Sequence, residues 1–321
     1  MRICDHGGWT DTWFGGPGRV VNVAVAPGVD VALRAVAGRS AVHLDVGGDR
    51  YAITPGSARA ARHELVEAAI DTYPPPDDRG IEVRVASAVP AGCGAGTSAA
   101  VAVALIGGLA AARAEALSRR DVASAAHRLE VEVLGAESGV QDQLSAALGG
   151  INFIEIDPYP EVCVEALPAW DALGSHLTLM FLGRAHVSSD VHRDVIDGLG
   201  GAASTALAQL RAAALAARDA VVAQDLHAFG AAMIANPDGQ RRLHASLVGA
   251  DAHRVIGLAR RLGAIGWKVN GAGGDGGSVT LLSATPAART ALERAIVGLD
   301  PRYRPLPIRP SAAGLEVRGS L

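Results

Sequence analysis

Pro90 to Ala100 reads PAGCGAGTSAA, and the residues on either side of it decide the fold. Before it, Ile81, Val83 and Val85 alternate with Glu82, Arg84 and Ala86, the period of a half-buried strand. After it, Val101 to Leu117 forms an alanine-rich helical run. The unit is strand, glycine loop, helix. Glycines at 92, 94 and 96 let a backbone approach an anion closely, the helix N-terminus supplies N–H groups and the positive dipole end, and Thr97 and Ser98 add hydroxyls. That chemistry suits phosphate. No lysine precedes Thr97, so this is not a Walker loop, and the spacing is not G-x-G-x-x-G. On this segment alone, a glycine-rich helix start without a ligand is the alternative.

Working outward, a helix is expected from Asp121 as N-cap, with Val122, Ala125, Ala126, Leu129 and Val133 on one face up to Gly135 and Glu130 off that face. A short helix, Gln141 to Leu148, carries Asp142 in its first turn, where a carboxylate stays ionised; such a residue by itself is more often structural. Asn152 to Glu155 reads as a strand closing this half, and Asp157 to Trp170, with three prolines, as the passage to a second domain. The expected division is 1–165 and 166–321. Upstream, Val20 to Val46 is extended, Ala58 to Thr72 helical, and Tyr73 to Gly80 a loop. Downstream come a strand (Leu177 to Gly183), a polar stretch (Arg184 to Asp194), and helices at Ala203 to Arg218 and Asp219 to Ala235. Trp267 to Leu282, WKVNGAGGDGGSVTLL, contains a formal G-x-G-x-x-G at Gly271, Gly273 and Gly276, but strand-like Ser278 to Leu282 follows where a dinucleotide fold needs a helix. A hairpin is the better reading.

Composition narrows the function. The chain has 321 residues, 49% apolar and 19% charged, enough to bury a core. A net charge of −4 without a basic stripe argues against nucleic acid and anionic membranes as partners. No apolar run is long enough to span a membrane, and Met1 to Gly8 lacks the apolar region of a signal peptide. Cys4, Cys93 and Cys163 are odd in number and not spaced C-x-x-C, against a disulfide framework or a zinc site. His186 and His192 have no supported third ligand at helical spacing. A cytoplasmic protein acting on a small molecule, as monomer or homodimer, is expected. Of 29 cationic side chains only Lys268 is lysine, which points to a compact ammonium beside a phosphate or glycine turn, or to chance.

Three separated motifs and the segment between the second and third, in this order and spacing, resemble the GHMP kinase superfamily, and the likeness runs along the whole chain. RICDHGGWTDT (Arg2 to Thr12), followed by RVVN (Arg19 to Asn22), resembles the first motif of its sugar kinases. PAGCGAGTSAA resembles the ATP-phosphate loop, GVQDQLSAALGGINFIE the segment with the catalytic aspartate, and KVNGAGGDGGSV the third motif. Within the superfamily, GGWTDT is similar to L-fucose and L-arabinose kinases, and GVQDQ with LGGINFIE to D-glycero-D-manno-heptose 7-phosphate kinases. The resemblance implies an α+β fold, with an N-terminal domain like domain 2 of ribosomal protein S5, a ferredoxin-like C-terminal domain, and an active site between them. It also implies transfer of the γ-phosphoryl group of ATP, with Mg²⁺, to the anomeric hydroxyl of a sugar or sugar phosphate, the heptose 7-phosphate type ahead of the L-fucose/L-arabinose type.

Carried over by position, the resemblance makes Asp142 the base and Arg2 the partner that offsets transition-state charge and keeps the aspartate ionised. Pro90, Gly92, Cys93, Gly94, Ala95, Gly96, Thr97 and Ser98 form the nucleotide loop, and Ser98 with Glu130 holds the metal. Asp11, with Gly8, Trp9 and Thr10, takes vicinal sugar hydroxyls. Arg184, His186, Ser188 and Ser189 fall at a polar loop near the sugar, with Gly273 contributing from the third motif. Three departures stand out: the chain begins immediately before Arg2, Asp11 to Asn22 is short and contains Trp13 and Phe14, and Asp275 replaces a glycine. The alternatives are a homoserine- or mevalonate-type alcohol kinase, which Asp11 disfavours, and a non-catalytic binder, which Glu130 and Asp142 together disfavour.

Overall fold

Arg2–His6 (β1) is buried throughout and pairs antiparallel with Gly18–Ala26 (β2), so the first motif is itself a strand. The computed structural model describes residues 1–36, 41–57, 60–76, 80–185 and 188–319, with the side chains of 188–190 and 201–202 outside that description. After β2 come Val29–Val36 (β3), Val42–Val46 (β4), Asp49–Ile53 (β5), Glu64–Thr72 (α1) and Gly80–Ser87 (β6). Thr97–Ala112 (α2), Arg119–Arg128 (α3), Gln141–Leu148 (α4), Ile151–Ile156 (β7) and Val162–Leu167 (β8) follow. The first sheet runs β1-β2-β7-β8, and a second is formed by β3, β6, β4 and β5, with β4 and β6 parallel.

The remaining elements are Leu177–Phe181 (β9), Ser188–Asp197 (α5), Gly201–Ala223 (α6), Leu226–Leu243 (α7), Ala250–Arg261 (α8), Gly266–Val269 (β10), Ser278–Leu282 (β11), Pro286–Val297 (α9), Arg304–Leu306 (β12) and Arg309–Pro310 (β13). The third sheet runs β10-β11-β9-β12, antiparallel throughout. Strand β9 reads LTLMF and is buried on both faces. Its Leu177, Leu179 and Phe181 join Phe229 and Met233 of α7, while Met180 faces Val255 of α8 and Ile296 of α9. The chain end returns to the first sheet: β13 pairs with β2, and the Leu315 N–H bonds to the Ala147 carbonyl at 2.9 Å. Helix α6 also packs on β1 and β2, so second-half elements form one wall beside the first motif.

Local chemistry explains where the element boundaries depart from expectation. Helix α2 starts at Thr97, directly on Gly96, and stops before Ala114, whose φ of +57° a right-handed helix cannot continue. The cap of α3 is Ser118; Asp121 is its reciprocal partner, the two side chains bonding each other's backbone N–H at 3.1 and 3.0 Å. The long alanine-rich stretch breaks at Gln224 (φ +52°), where Asp225 caps α7, not at Asp219, because alanine carries no amphipathic period. Strand β8 occupies the expected inter-domain passage, and α5 the polar stretch. Helix α1 begins at Glu64; residues 58–59 and 77–79 of the expected helix and loop lie outside the described residues. Helix α4 and the β10–β11 hairpin stand where the sequence puts them. All three cysteines are free, and no helix among the described residues is long and apolar enough to cross a membrane.

Candidate active site

The glycine loop connects β6 to α2, with Gly92, Gly94 and Gly96 at φ of +66°, +78° and +67°. A side chain is strained at each, so the loop keeps a shape in which no Cβ stands between backbone and anion. Gly96 is the N-cap of α2, and no side chain caps that end. Cys93 and Ala95 point into the core and anchor the loop instead of facing the cleft. The Ser278 hydroxyl donates to the Cys93 carbonyl at 2.6 Å, and the Arg2 N–H donates to the Ala95 carbonyl at 2.9 Å. The first and third motifs therefore hold the loop from two sides.

Arg2 and Asp142 form a two-point ion pair, with Nε to Oδ1 at 2.7 Å and Nη2 to Oδ2 at 3.0 Å; Arg2 Nη1 also donates to the Gly94 carbonyl. Burial works against the guanidinium charge, but Asp142 and Asp5 outweigh it and hold Arg2 above its usual range. Asp142 lies against the loop: a Cβ built on Gly96 stands 3.1 Å from its Oδ2. Behind Arg2, Asp5 sits 3.9 Å from Nη2 and 3.1 Å from Lys268 Nζ, and accepts the Gly271 N–H at 3.0 Å. Lys268 has no exposed surface, and burial lowers its pKa against the pull of Asp5. The lone lysine thus sits beside a glycine turn, bound to a carboxylate.

Asp11 is 3% exposed and accepts from the Gln141 backbone N–H at 3.2 Å and the Gln141 side-chain amide at 3.4 Å. Burial, then the neighbouring charge of Asp142, pushes its carboxyl up to about 6. Gly139 makes room for it, since a Cβ there would stand 2.0 Å from Asp11 Oδ2. If Asp11 receives substrate hydroxyls, it does so best ionised. Acceptor KM is therefore expected to rise as pH falls through about 6, checked by initial rates at saturating nucleotide from pH 5 to 8. Trp9 is buried edge-on to His192 at 4.7 Å between ring centroids and makes an apolar wall beside Asp11. Thr10 turns inward and spends its hydroxyl on the carbonyls of Gly7 and Arg19.

Glu130 lies in a π-helical turn, Leu129–Val133, that continues α3. Its Oε2 accepts from Ser138 at 2.8 Å and Gln143 at 2.7 Å, while Oε1 is buried without a partner. Burial pushes Glu130 up to about 7, against the bonds from Ser138 and Gln143 and the nearness of the Ser98 hydroxyl, and with the charge of Asp142. No group of three or more His, Cys, Asp or Glu among the described residues is placed to hold a metal ion between them. The donor set, one orphaned carboxylate oxygen and the Ser98 hydroxyl, fits Mg²⁺, which keeps waters and binds phosphate oxygens instead of filling a protein cage.

Arg2, Gly8, Trp9, Asp11, Gly92, Gly94, Gly96, Thr97, Ser98, Glu130 and Asp142 all line one cleft of about 510 Å³. Of the remaining expected residues, Cys93, Ala95 and Thr10 stand behind it, and Pro90, Arg184 and Gly273 are not among its lining residues. Arg184 bonds Asp251 at 2.8 Å, and Gly273 packs on the Leu247 carbonyl. His186 lies outside the described residues, as do the side chains of Ser188 and Ser189. Sequence reasoning did not single out Asp5, Gln141, Ser138 or Glu137 as lining residues. Glu137 also accepts the Trp13 indole N–H at 2.7 Å across the mouth.

A glycine loop on a helix N-terminus, faced by an Arg–Asp pair and an orphaned carboxylate in a two-walled α+β cleft, defines the class: a GHMP kinase fold. Residues 59–150 match the family model described as GHMP kinases N terminal domain, so the chain carries that domain. The mevalonate kinase of Pyrococcus furiosus is 39% identical over 89 residues, 28% of this chain and 26% of that protein. The D-glycero-alpha-D-manno-heptose 7-phosphate kinase of Campylobacter jejuni is 28% identical over 196 residues, 59% of this chain and 58% of that one. The chain thus spans less than two thirds of the length of these curated relatives. A crystal structure of a D-glycero-D-manno-heptose 1-phosphate kinase from Bacteriodes thetaiotaomicron superposes with TM-score 0.76 at 18% identity, covering 99% of this chain and 98% of that one.

Proposed function

We propose that the protein is an ATP- and Mg²⁺-dependent kinase that phosphorylates the anomeric hydroxyl of a sugar. The observation that carries this reading is the seating of Asp142, paired with Arg2, against the last glycine of the phosphate loop. In this reading the loop N–H groups and the α2 N-terminus hold the phosphates. Asp142 accepts the hydroxyl proton as the acceptor oxygen bonds to the γ-phosphorus and the bridging oxygen leaves with ADP. Arg2 keeps the base ionised and offsets charge on the transferring group. Mg²⁺, held by Glu130 and Ser98, supplies charge neutralisation at the phosphates. The two folded halves, divided near 165, close the site between them.

Acceptor charge separates the two sugar types. Among the described residues lining the cleft, Asp5, Asp11, Glu64, Glu130, Glu137 and Asp142 are acidic, and the guanidinium of Arg2 is already engaged. Arg184, expected to suit a sugar phosphate, is paired with Asp251 instead. This favours an unphosphorylated sugar, the L-fucose/L-arabinose type, over the heptose 7-phosphate type. Likeness to mevalonate kinases supports a second reading, a non-sugar alcohol as acceptor. ADP release with Mg·ATP across free sugars, heptose 7-phosphate, mevalonate and homoserine decides. Turnover on a free sugar with phosphate on C1 is the expected result, and turnover confined to mevalonate or homoserine overturns the sugar reading.

A further inference from the structure

Lys268 is the single lysine among 29 cationic side chains, and it is fully buried. Its ammonium lies 3.1 Å from Asp5 Oδ1 and donates to the Val269 carbonyl. Asp5, 1% exposed, has its other oxygen on the Gly271 N–H and 3.9 Å from Arg2 Nη2. Arg2 in turn is fully engaged with Asp142 and Gly94. Four charges therefore alternate from β10 to the phosphate loop: Lys268, Asp5, Arg2, Asp142. A buried carboxylate needs a counter-charge, and two cations flank this one. At 3.9 Å, Arg2 is within a small side-chain shift of bonding Asp5; Lys268 already does so. A point ammonium on a straight stem reaches both Asp5 and the Val269 carbonyl from β10, a fit that a planar guanidinium does not share.

We propose that Lys268 is a positioning residue: by neutralising Asp5 it leaves Arg2 committed to Asp142. The link to catalysis rests on the kinase reading above, while the coupling itself does not. Without Lys268, Arg2 becomes the nearest cation to Asp5 and is drawn from the base. A pair that only staples the hairpin to β1 would have no such reach.

The test is a substrate-free melting cycle of the wild type, Lys268→Met, Asp142→Asn and the double variant, with turnover measured alongside. Asp142→Asn releases Arg2 to serve Asp5, so loss of Lys268 is expected to lower Tm by about 2–4 °C less in that background. Folding of the double variant where Lys268→Met alone does not fold is the same result in stronger form. In turnover, Lys268→Met is expected to lose about 10²-fold in kcat with a much smaller change in ATP KM, as a misplaced base does. Adding Asp5→Asn, which removes the charge Lys268 neutralises, should recover most of that loss. Additive melting, with no recovery by Asp5→Asn, overturns the relay and leaves the kinase reading standing. A wild type inert on every acceptor, with the melting coupling intact, removes the kinase reading and leaves the relay.

Discussion

Asp142→Asn is expected to lower kcat by about 10²–10⁴-fold, the range a positioned general base supplies. Asparagine keeps the shape of the side chain and can still accept one bond from Arg2, but it cannot take the hydroxyl proton. Because phosphoryl transfer passes through a loose transition state, the proton moves late and base removal alone falls toward the lower end of that range. The Arg2 guanidinium raises it. Arg2 is 4% exposed and loses its ionic partner, with Asp5 waiting 3.9 Å away, so the charge meant for the transferring group is displaced as well. ATP affinity should hold or increase, because the substitution removes a negative charge from beside Gly96, where the phosphates sit in this reading. ADP release and ATP titration on the same preparation check both halves. A kcat within tenfold of wild type would take the base role from Asp142.

What the sequence revealed follows the range of the forces involved. The glycine loop, helix α4 and the β10–β11 hairpin are written in neighbouring residues: positive-φ glycines, a first-turn acid, and alternation broken by a glycine turn. Strand β8 was hidden because its half-exposed residues lie between prolines, so an edge strand read as a connector. The break between α6 and α7 was hidden because alanine is equally at home on every helix face. In the site, each carboxylate named from the motifs reaches the cleft, yet their partners did not show. Asp5 meets Lys268 across 263 residues, and no local pattern records that distance. Composition alone marked Lys268. Arg184 was placed by likeness, and its ion pair with Asp251, 67 residues on, is likewise beyond any local pattern.

Gly139→Ala is the second large effect expected, and it acts on Asp11 without altering it. A methyl at 139 would lie 2.0 Å from Asp11 Oδ2, far inside contact distance, so either the carboxylate swings away from Gln141 or the α4 entry moves. In the proposed reading Asp11 takes two vicinal hydroxyls, and a hydrogen bond to a charged group contributes about 1.5–3 kcal/mol, so losing both should raise acceptor KM by at least about 10²-fold. Asp11→Ala should do the same. In both, ATP KM should change far less than acceptor KM, because neither residue belongs to the phosphate loop, and kcat at saturating acceptor should fall far less than in Asp142→Asn. Stability separates the two variants. Asp11→Ala removes a buried carboxylate that burial already disfavours and should cost little in Tm, whereas Gly139→Ala forces a backbone or side-chain shift and should cost more. The check is a pair of acceptor titrations with melting curves on each protein. An unchanged acceptor KM in both would move the sugar off Asp11 and leave its raised pKa a matter of packing alone.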